Sequence, residues 1–180
     1  VRPIFPTKKP TQFISQETGK RAVDGRTVDE FRKMFMRCGV VHKARGSAYI
    51  ELNNTKVICS VYGPRQSKTQ TEFSDKGTLQ CEVTFAPFAH QKQNNRPKKN
   101  HISQLRQQVH EYSAYMREAL QTSICLDKFP KSTIDVYALV LEDDGSVLSA
   151  AITCASLALA DAGIEMYDLV SACSASQLED

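Results

Sequence analysis

The sequence predicts an α+β fold with mixed sheets packed against helices, in the order ββ-β-α-β-α-β. Three stretches carry this expectation. Residues 47–62 hold two β-forming runs around Asn53–Asn54, and residues 102–124 repeat apolar residues every three or four positions. Residues 134–142 form an almost unbroken apolar run that leads through an acidic turn into a helix of small residues. A length of 180 residues suits one domain with a sizeable core.

Residues 1–22 contain Pro3, Pro6 and Pro10 among scattered Lys and Arg, with little periodicity, and are expected to be an extended arm. The domain then spans residues 23–180. Asp24–Gly25 is a turn dipeptide, and Thr27 with Glu30 fits a capping box for a single helical turn or a surface turn. Ser47–Leu52 alternates polar or small residues with apolar ones. Asn53–Asn54 tolerates positive φ, and Thr55–Tyr62 is rich in β-branched residues, so a hairpin is expected. Leu79, Cys81, Val83 and Phe85 lie at period two opposite Gln80, Glu82 and Thr84, which predicts a half-buried strand ended by Pro87.

His90–Asn100 has no apolar residue and contains Lys92, Arg96, Lys98 and Lys99, the one dense basic cluster. The following helix places Ile102, Leu105, Val109, Tyr112, Met116, Leu120 and Ile124 on one side, with Asn100 or Ser103 as its cap and Pro130 beyond its end. The strand Ile134–Glu142 is apolar apart from Asp135, which predicts a central strand covered on both faces. A helix over Ser149–Ala162, with Gly163 as its C-terminal cap, leads to a final strand over Leu169–Ser174.

Composition excludes several classes. Net charge is +3, too weak to establish a nucleic-acid partner alone. No apolar run approaches the ~18 residues of a membrane span; Ala150–Ala160 is interrupted by Thr153, Cys154 and Ser156. The basic, Pro-rich start has no apolar core, so a secretory signal is not expected. The six cysteines form no CxxC pair, which favours free buried thiols over disulfides or zinc, and no metal or cofactor is expected.

Chemistry has few candidates. His42, His90, His101 and His110 have no Ser or Cys partner in a known motif, and no P-loop occurs. Asp143 and Asp144 lie at a strand end, where α/β sites often form. Acidic residues before a helix also serve simply as caps, and two carboxylates repel phosphate. The basic loop suits RNA phosphates or a solvated tip, without interleaved aromatics for base stacking.

Residues 21–175 resemble the RNase PH family, as found in the ring subunits of the eukaryotic RNA exosome. The residues that carry this are Asp24–Gly25–Arg26, Gly46–Glu51 with Asn54–Cys59, Gly63–Pro64–Arg65–Gln66, Leu141–Gly145 and Leu157–Gly163. The resemblance implies a fold like domain 2 of ribosomal protein S5. It also implies a hetero-hexameric ring of RNase PH-like subunits, RNA-binding cap subunits, RNA threaded through a channel, and residence in nucleus, nucleolus and cytoplasm.

Active members degrade RNA from the 3′ end with phosphate, bound by a Gly-Thr-Arg-Thr type loop after the Asp-Gly turn. Here Gly145–Ser146–Val147–Leu148 is a degenerate version, with Leu148 at the arginine position and Val147 at the first threonine position. A leucine supplies no bidentate contact to phosphate. The family's catalytic carboxylates lie after a strand like Leu169–Ser174, where Glu179 and Asp180 do not recreate the motif, so no catalytic residue is expected. The family domain runs further, so the expected domain is incomplete at its C-terminus. The resulting expectation is a non-catalytic ring subunit; the alternative is an active phosphate-dependent exoribonuclease.

Overall fold

A computed structural model of the chain describes residues 26–27, 30–66, 75–89 and 99–175, with side chains from residue 105 in the last segment. The expected arm over residues 1–22, the loop residues Lys92, Arg96 and Lys98, and Glu179 and Asp180 lie outside the described residues. The chain divides into two units, Val1–Arg32 and Lys33–Asp180. In the first, the Glu30 carboxylate accepts the Thr27 N–H at 3.4 Å, which is one half of the expected capping box.

The second unit contains β1 (Met34–Cys38), β2 (Gly46–Leu52), β3 (Thr55–Gln66), β4 (Thr78–Phe85), α1 (Lys99–Gln121), β5 (Ser132–Glu142) and α2 (Val147–Asp161). One 3-10 turn, Leu126–Lys128, precedes β5. The five strands form one mixed sheet in the order β1-β2-β3-β5-β4. The β2–β3 hairpin forms as expected, with Leu52 opposite Thr55 and Asn53 at φ 58°. β5 runs antiparallel to β3 and parallel to β4, and α1 supplies the crossover that a parallel pair requires.

Both helices contribute to one core. Ile50, Val57, Val61, Val83, Ile134 and Val140 from the sheet meet Met116 and Leu120 of α1 and Ala151, Cys154, Ala158 and Leu159 of α2, all buried. The small residues of α2 permit close packing. A Cβ on Gly46 would lie 2.3 Å from the backbone nitrogen of Ala162 and 2.4 Å from the carbonyl of Ala158. Gly163 ends α2 at φ +66°: its N–H donates to the Ala160 carbonyl at 3.0 Å, and the Ile164 N–H to the Leu159 carbonyl at 3.2 Å. This is the paired bonding of a glycine-capped helix end.

Four expectations change. α1 begins at Lys99 and ends at Gln121, short of Ile124, which instead bridges Met166. β5 is covered on one face only: Ile134, Val136, Ala138 and Val140 are buried, but Tyr137 and Leu139 are each 40% exposed. Leu169–Ser174 is not a strand. Its backbone is held instead by α2 hydroxyls, with the Val170 N–H donating to Ser156 Oγ at 2.8 Å and the Ala172 N–H to Thr153 Oγ1 at 3.2 Å. The N-cap of α2 is Ser146 rather than an aspartate, and its side chain makes no capping bond.

Candidate functional site

The acidic turn joins β5 to α2, and bonds from three other segments hold it. Thr55, fully buried at the start of β3, donates from Oγ1 to the Gly145 carbonyl at 2.8 Å and accepts the Asp144 N–H at 3.1 Å. The Asp143 N–H donates to the Ala89 carbonyl at 3.1 Å. Asp143 Oδ1 accepts the Gly145 N–H at 3.0 Å, a side-chain turn that mimics a backbone turn. The hydroxyls of Ser146 and Ser174 lie 2.5 Å apart.

Gly145 and Ser146 both have positive φ, 84° and 61°, and for a serine that conformation is strained. Ser149 Oγ donates to the Ser146 carbonyl at 2.9 Å, and the first helical bond follows from the Ala150 N–H to the same carbonyl at 3.0 Å. Val147 is buried, and Leu148 packs against the core cluster. In the degenerate loop over 145–148, the two apolar side chains therefore face protein.

A cleft of about 330 Å³ opens beside the turn, lined by Asn54, Lys56, Phe88, Glu142, Asp143 and Asp144 among others. Its one ammonium, Lys56, is bound to Glu142 at 2.9 Å, and that hydrogen bond raises the Lys56 pKa. Three carboxylates against one paired ammonium disfavour an anion there. Among the described residues no histidine lines this cleft, and His42 and His110 are exposed elsewhere. Among the described residues no group of three His, Cys, Asp or Glu is placed to hold a metal ion. All six cysteines are free. Burial pushes the Cys81 thiol up to about 12 and the Cys59 thiol well above its usual range, so neither is a nucleophile at neutral pH.

Sequence reasoning missed Thr55 and Ser174. Thr55 reads as an ordinary strand residue and Ser174 as part of a strand; their partners lie 89–90 and 28 residues away. It also left Asp135 unexplained. That buried carboxylate accepts from Arg65 Nη2 across the strand pair.

Residues 30–165 match the RNase PH family, described as the 3′ exoribonuclease family, domain 1. The chain belongs to that family. Among its relatives, an Arabidopsis thaliana protein named exosome complex component RRP41-like is 48% identical over 153 residues, covering 85% of this chain and 56% of that protein. Exosome complex component Rrp41 of Nitrosopumilus maritimus is 38% identical over 175 residues, 96% of this chain and 68% of that one. Among solved structures, rice Rrp46 aligns with a TM-score of 0.64 at 29% identity, covering 81% of this chain and 63% of that one. A chain of the Archaeoglobus fulgidus exosome with RNA bound to the active site aligns at 0.61 and 25%, covering 81% and 57%. This RNase PH chain thus spans a little over half the length of the first relative. The expected RNase PH fold is the one observed, a mixed sheet of five strands carrying two helices.

Proposed function

We propose that this RNase PH chain is a non-catalytic, structural subunit of an RNA exosome core ring, of the kind called mRNA transport regulator 3. In that role it supports 3′-to-5′ RNA processing by helping to form the channel through which RNA passes. The observation that carries this reading is the side-chain placement at the β5–α2 turn. Val147 is buried and Leu148 lies on the core, at the positions where active members hold a threonine and the phosphate-binding arginine. Among the described residues, no cationic donor at the turn replaces the lost guanidinium for a transferring phosphate. The carboxylates of the adjoining cleft act in the same direction.

The partners in this reading are RNase PH-like subunits of a hetero-hexameric ring and RNA-binding cap subunits, in nucleus, nucleolus and cytoplasm. Lys92, Arg96, Lys98 and Lys99 are its candidate RNA contacts, and it needs no cofactor.

A second reading is an active phosphate-dependent 3′-to-5′ exoribonuclease. It is favoured by the family description and by likeness to an exosome chain with RNA at an active site. The test is release of nucleoside diphosphates from RNA 3′ ends, with and without inorganic phosphate. The scaffold reading expects none from the wild-type chain, and none from a Val147→Thr, Leu148→Arg double variant. Phosphate-dependent release by the wild type overturns it. Native mass measurement with RNase PH-like partners tests the ring assignment, where a hetero-oligomer is expected.

A further inference from the structure

We propose that the groove between α1 and the β4–β5 edge is a second binding site for single-stranded RNA, separate from the basic loop and from the acidic turn. The proposal rests on the RNA-handling side of the function above and not on ring membership.

The groove holds about 470 Å³ and lies where α1 meets the β4 edge of the sheet. Along one wall α1 presents Arg106, His110, Ser113 and Arg117. At 3.6 residues per turn these four fall within roughly 60° of one another around the helix axis. The helix's exposed carboxylates, Glu111 and Glu118, lie about 100° further round the axis, so the stripe that faces the groove carries two guanidiniums and an imidazole and no carboxylate. Arg106, His110 and Arg117 are exposed, and among the described residues none of the three has a hydrogen bond or ion pair. Ser113 fixes the wall to the sheet: its hydroxyl accepts the Val83 N–H at 2.9 Å and donates to the Val109 carbonyl at 2.8 Å.

The opposite wall carries Asp135 and Tyr137 from β5 with Gln80 and Glu82 from β4, so two guanidiniums of α1 face one exposed carboxylate, Glu82, besides Asp135. Asp135 does not cancel the stripe, because Arg65 already neutralises it. Tyr137 is 40% exposed and is braced edge-on by Tyr62, with ring centroids 5.9 Å apart. A fixed, half-exposed ring beside unpaired cations combines the two elements that bind single strands without sequence preference, base stacking and phosphate neutralisation.

Spacing along the helix suits an extended backbone that meets two guanidiniums with an imidazole between them. Arg106 and His110 are ~6 Å apart along the axis, and His110 and Arg117 ~10.5 Å, from a rise of 1.5 Å per residue. An acidic peptide satisfies the cations equally well but leaves the braced ring without a role. The stacked ring is what favours RNA.

The experiment measures binding of a short fluorescein-labelled oligouridylate to the full chain by anisotropy across a salt series. An Arg106→Ala, Arg117→Ala variant is expected to bind about tenfold more weakly, with a log–log salt slope shallower by about 1.4 for two lost phosphate contacts. Tyr137→Ala is expected to weaken binding with the slope unchanged, because stacking releases no counterions. An Arg106→Lys, Arg117→Lys variant is expected to keep the wild-type slope, which separates lost charge from lost folding. Unchanged affinity and slope in the double alanine variant overturn the proposal, even if Lys98→Ala, Lys99→Ala abolishes binding. Competition by polyglutamate as strong as by unlabelled RNA, with no effect of Tyr137→Ala, overturns it in favour of an acidic peptide. Ring assembly, read separately by native mass, is expected to be unchanged in the groove variants, so failure of the groove and failure of the ring reading are distinguishable.

Discussion

The β5–α2 turn and the α1 groove are both polar hollows in one unit, and their polar groups are used in opposite ways. In the turn, Asp143, Asp144, Gly145 and Ser146 are engaged by Thr55, Ala89, Ser174 and one another. In the groove, Ser113 and Asp135 are paired, whereas Arg106, His110 and Arg117 are exposed with no hydrogen bond or ion pair among the described residues. A hollow whose donors and acceptors are already paired within the chain contributes to stability and has little left for a ligand. A hollow with unpaired charge contributes little to stability and retains its capacity to bind. Position in the fold makes the turn look like an active site, whereas most of its polar groups bond within the chain.

The contrast is open to attack by substitution. The severest blow to the turn's side should be Gly46→Leu, which forces a side chain into the α2 backbone at Ala158 and Ala162. Overpacking against backbone is expected to cost about 3 kcal/mol or more, read as a fall in the urea midpoint. Alkaline pH strains the same buried layer. Cys81 ionises near 12 in the folded chain, against 9.0 ordinarily, because burial disfavours its thiolate. The folded state therefore retains a proton that the unfolded chain releases, and stability falls as pH rises from about 9 toward 12. Thiol labelling at pH 8 is expected to reach the exposed Cys38 and Cys173 first and the buried Cys59 and Cys154 only on unfolding.

Smaller effects test the two hollows directly. Thr55→Val removes the hydroxyl that serves both Gly145 and Asp144, and leaving those backbone groups unpaired is expected to cost about 2 kcal/mol in a denaturant titration. Ser174→Ala loses one exposed hydroxyl contact and should cost about 0.5 kcal/mol. Arg106→Ala, Arg117→Ala is expected to change stability by less than about 0.5 kcal/mol while weakening RNA binding. A large loss of stability in that last variant would break the contrast, because it would mean the groove's cations are structural too.

Periodicity made much of the fold legible. The β2–β3 hairpin, β4, α1, β5, α2 and the Gly163 cap could all be read locally, because alternation and three-to-four spacing record which side of a segment is buried. The misreadings share a cause. β5 is apolar at Tyr137 and Leu139, and an apolar strand reads as covered on both faces; here one face carries no layer among the described residues. Residues 169–174 have strand composition, yet their N–H groups bond to Ser156 and Thr153 instead of a neighbouring strand. The aspartates before α2 read as caps, but Asp143 turns onto Gly145 and the cap falls to Ser146.

The site divides in the same way. Val147 and Leu148 in a phosphate-loop frame could be recognised from residue types and order, and their loss of charge is a property of the sequence alone. That their side chains turn into the core, and that Thr55 clamps the turn, depends on β3 lying beside β5. The tertiary structure alone decided the groove as well. In the chain, Tyr112 and Tyr115 lie between Arg106 and Arg117, yet the ring that lines the groove with the arginines is Tyr137, beyond a helix end, a 3-10 turn and half a strand. They meet because the crossover through α1 returns β5 parallel to β4 and sets Tyr137 beside the helix's charged face. Local torsional preference and hydrophobic spacing fix what each segment becomes, whereas strand order fixes which segments share a surface, and no short-range pattern encodes that order.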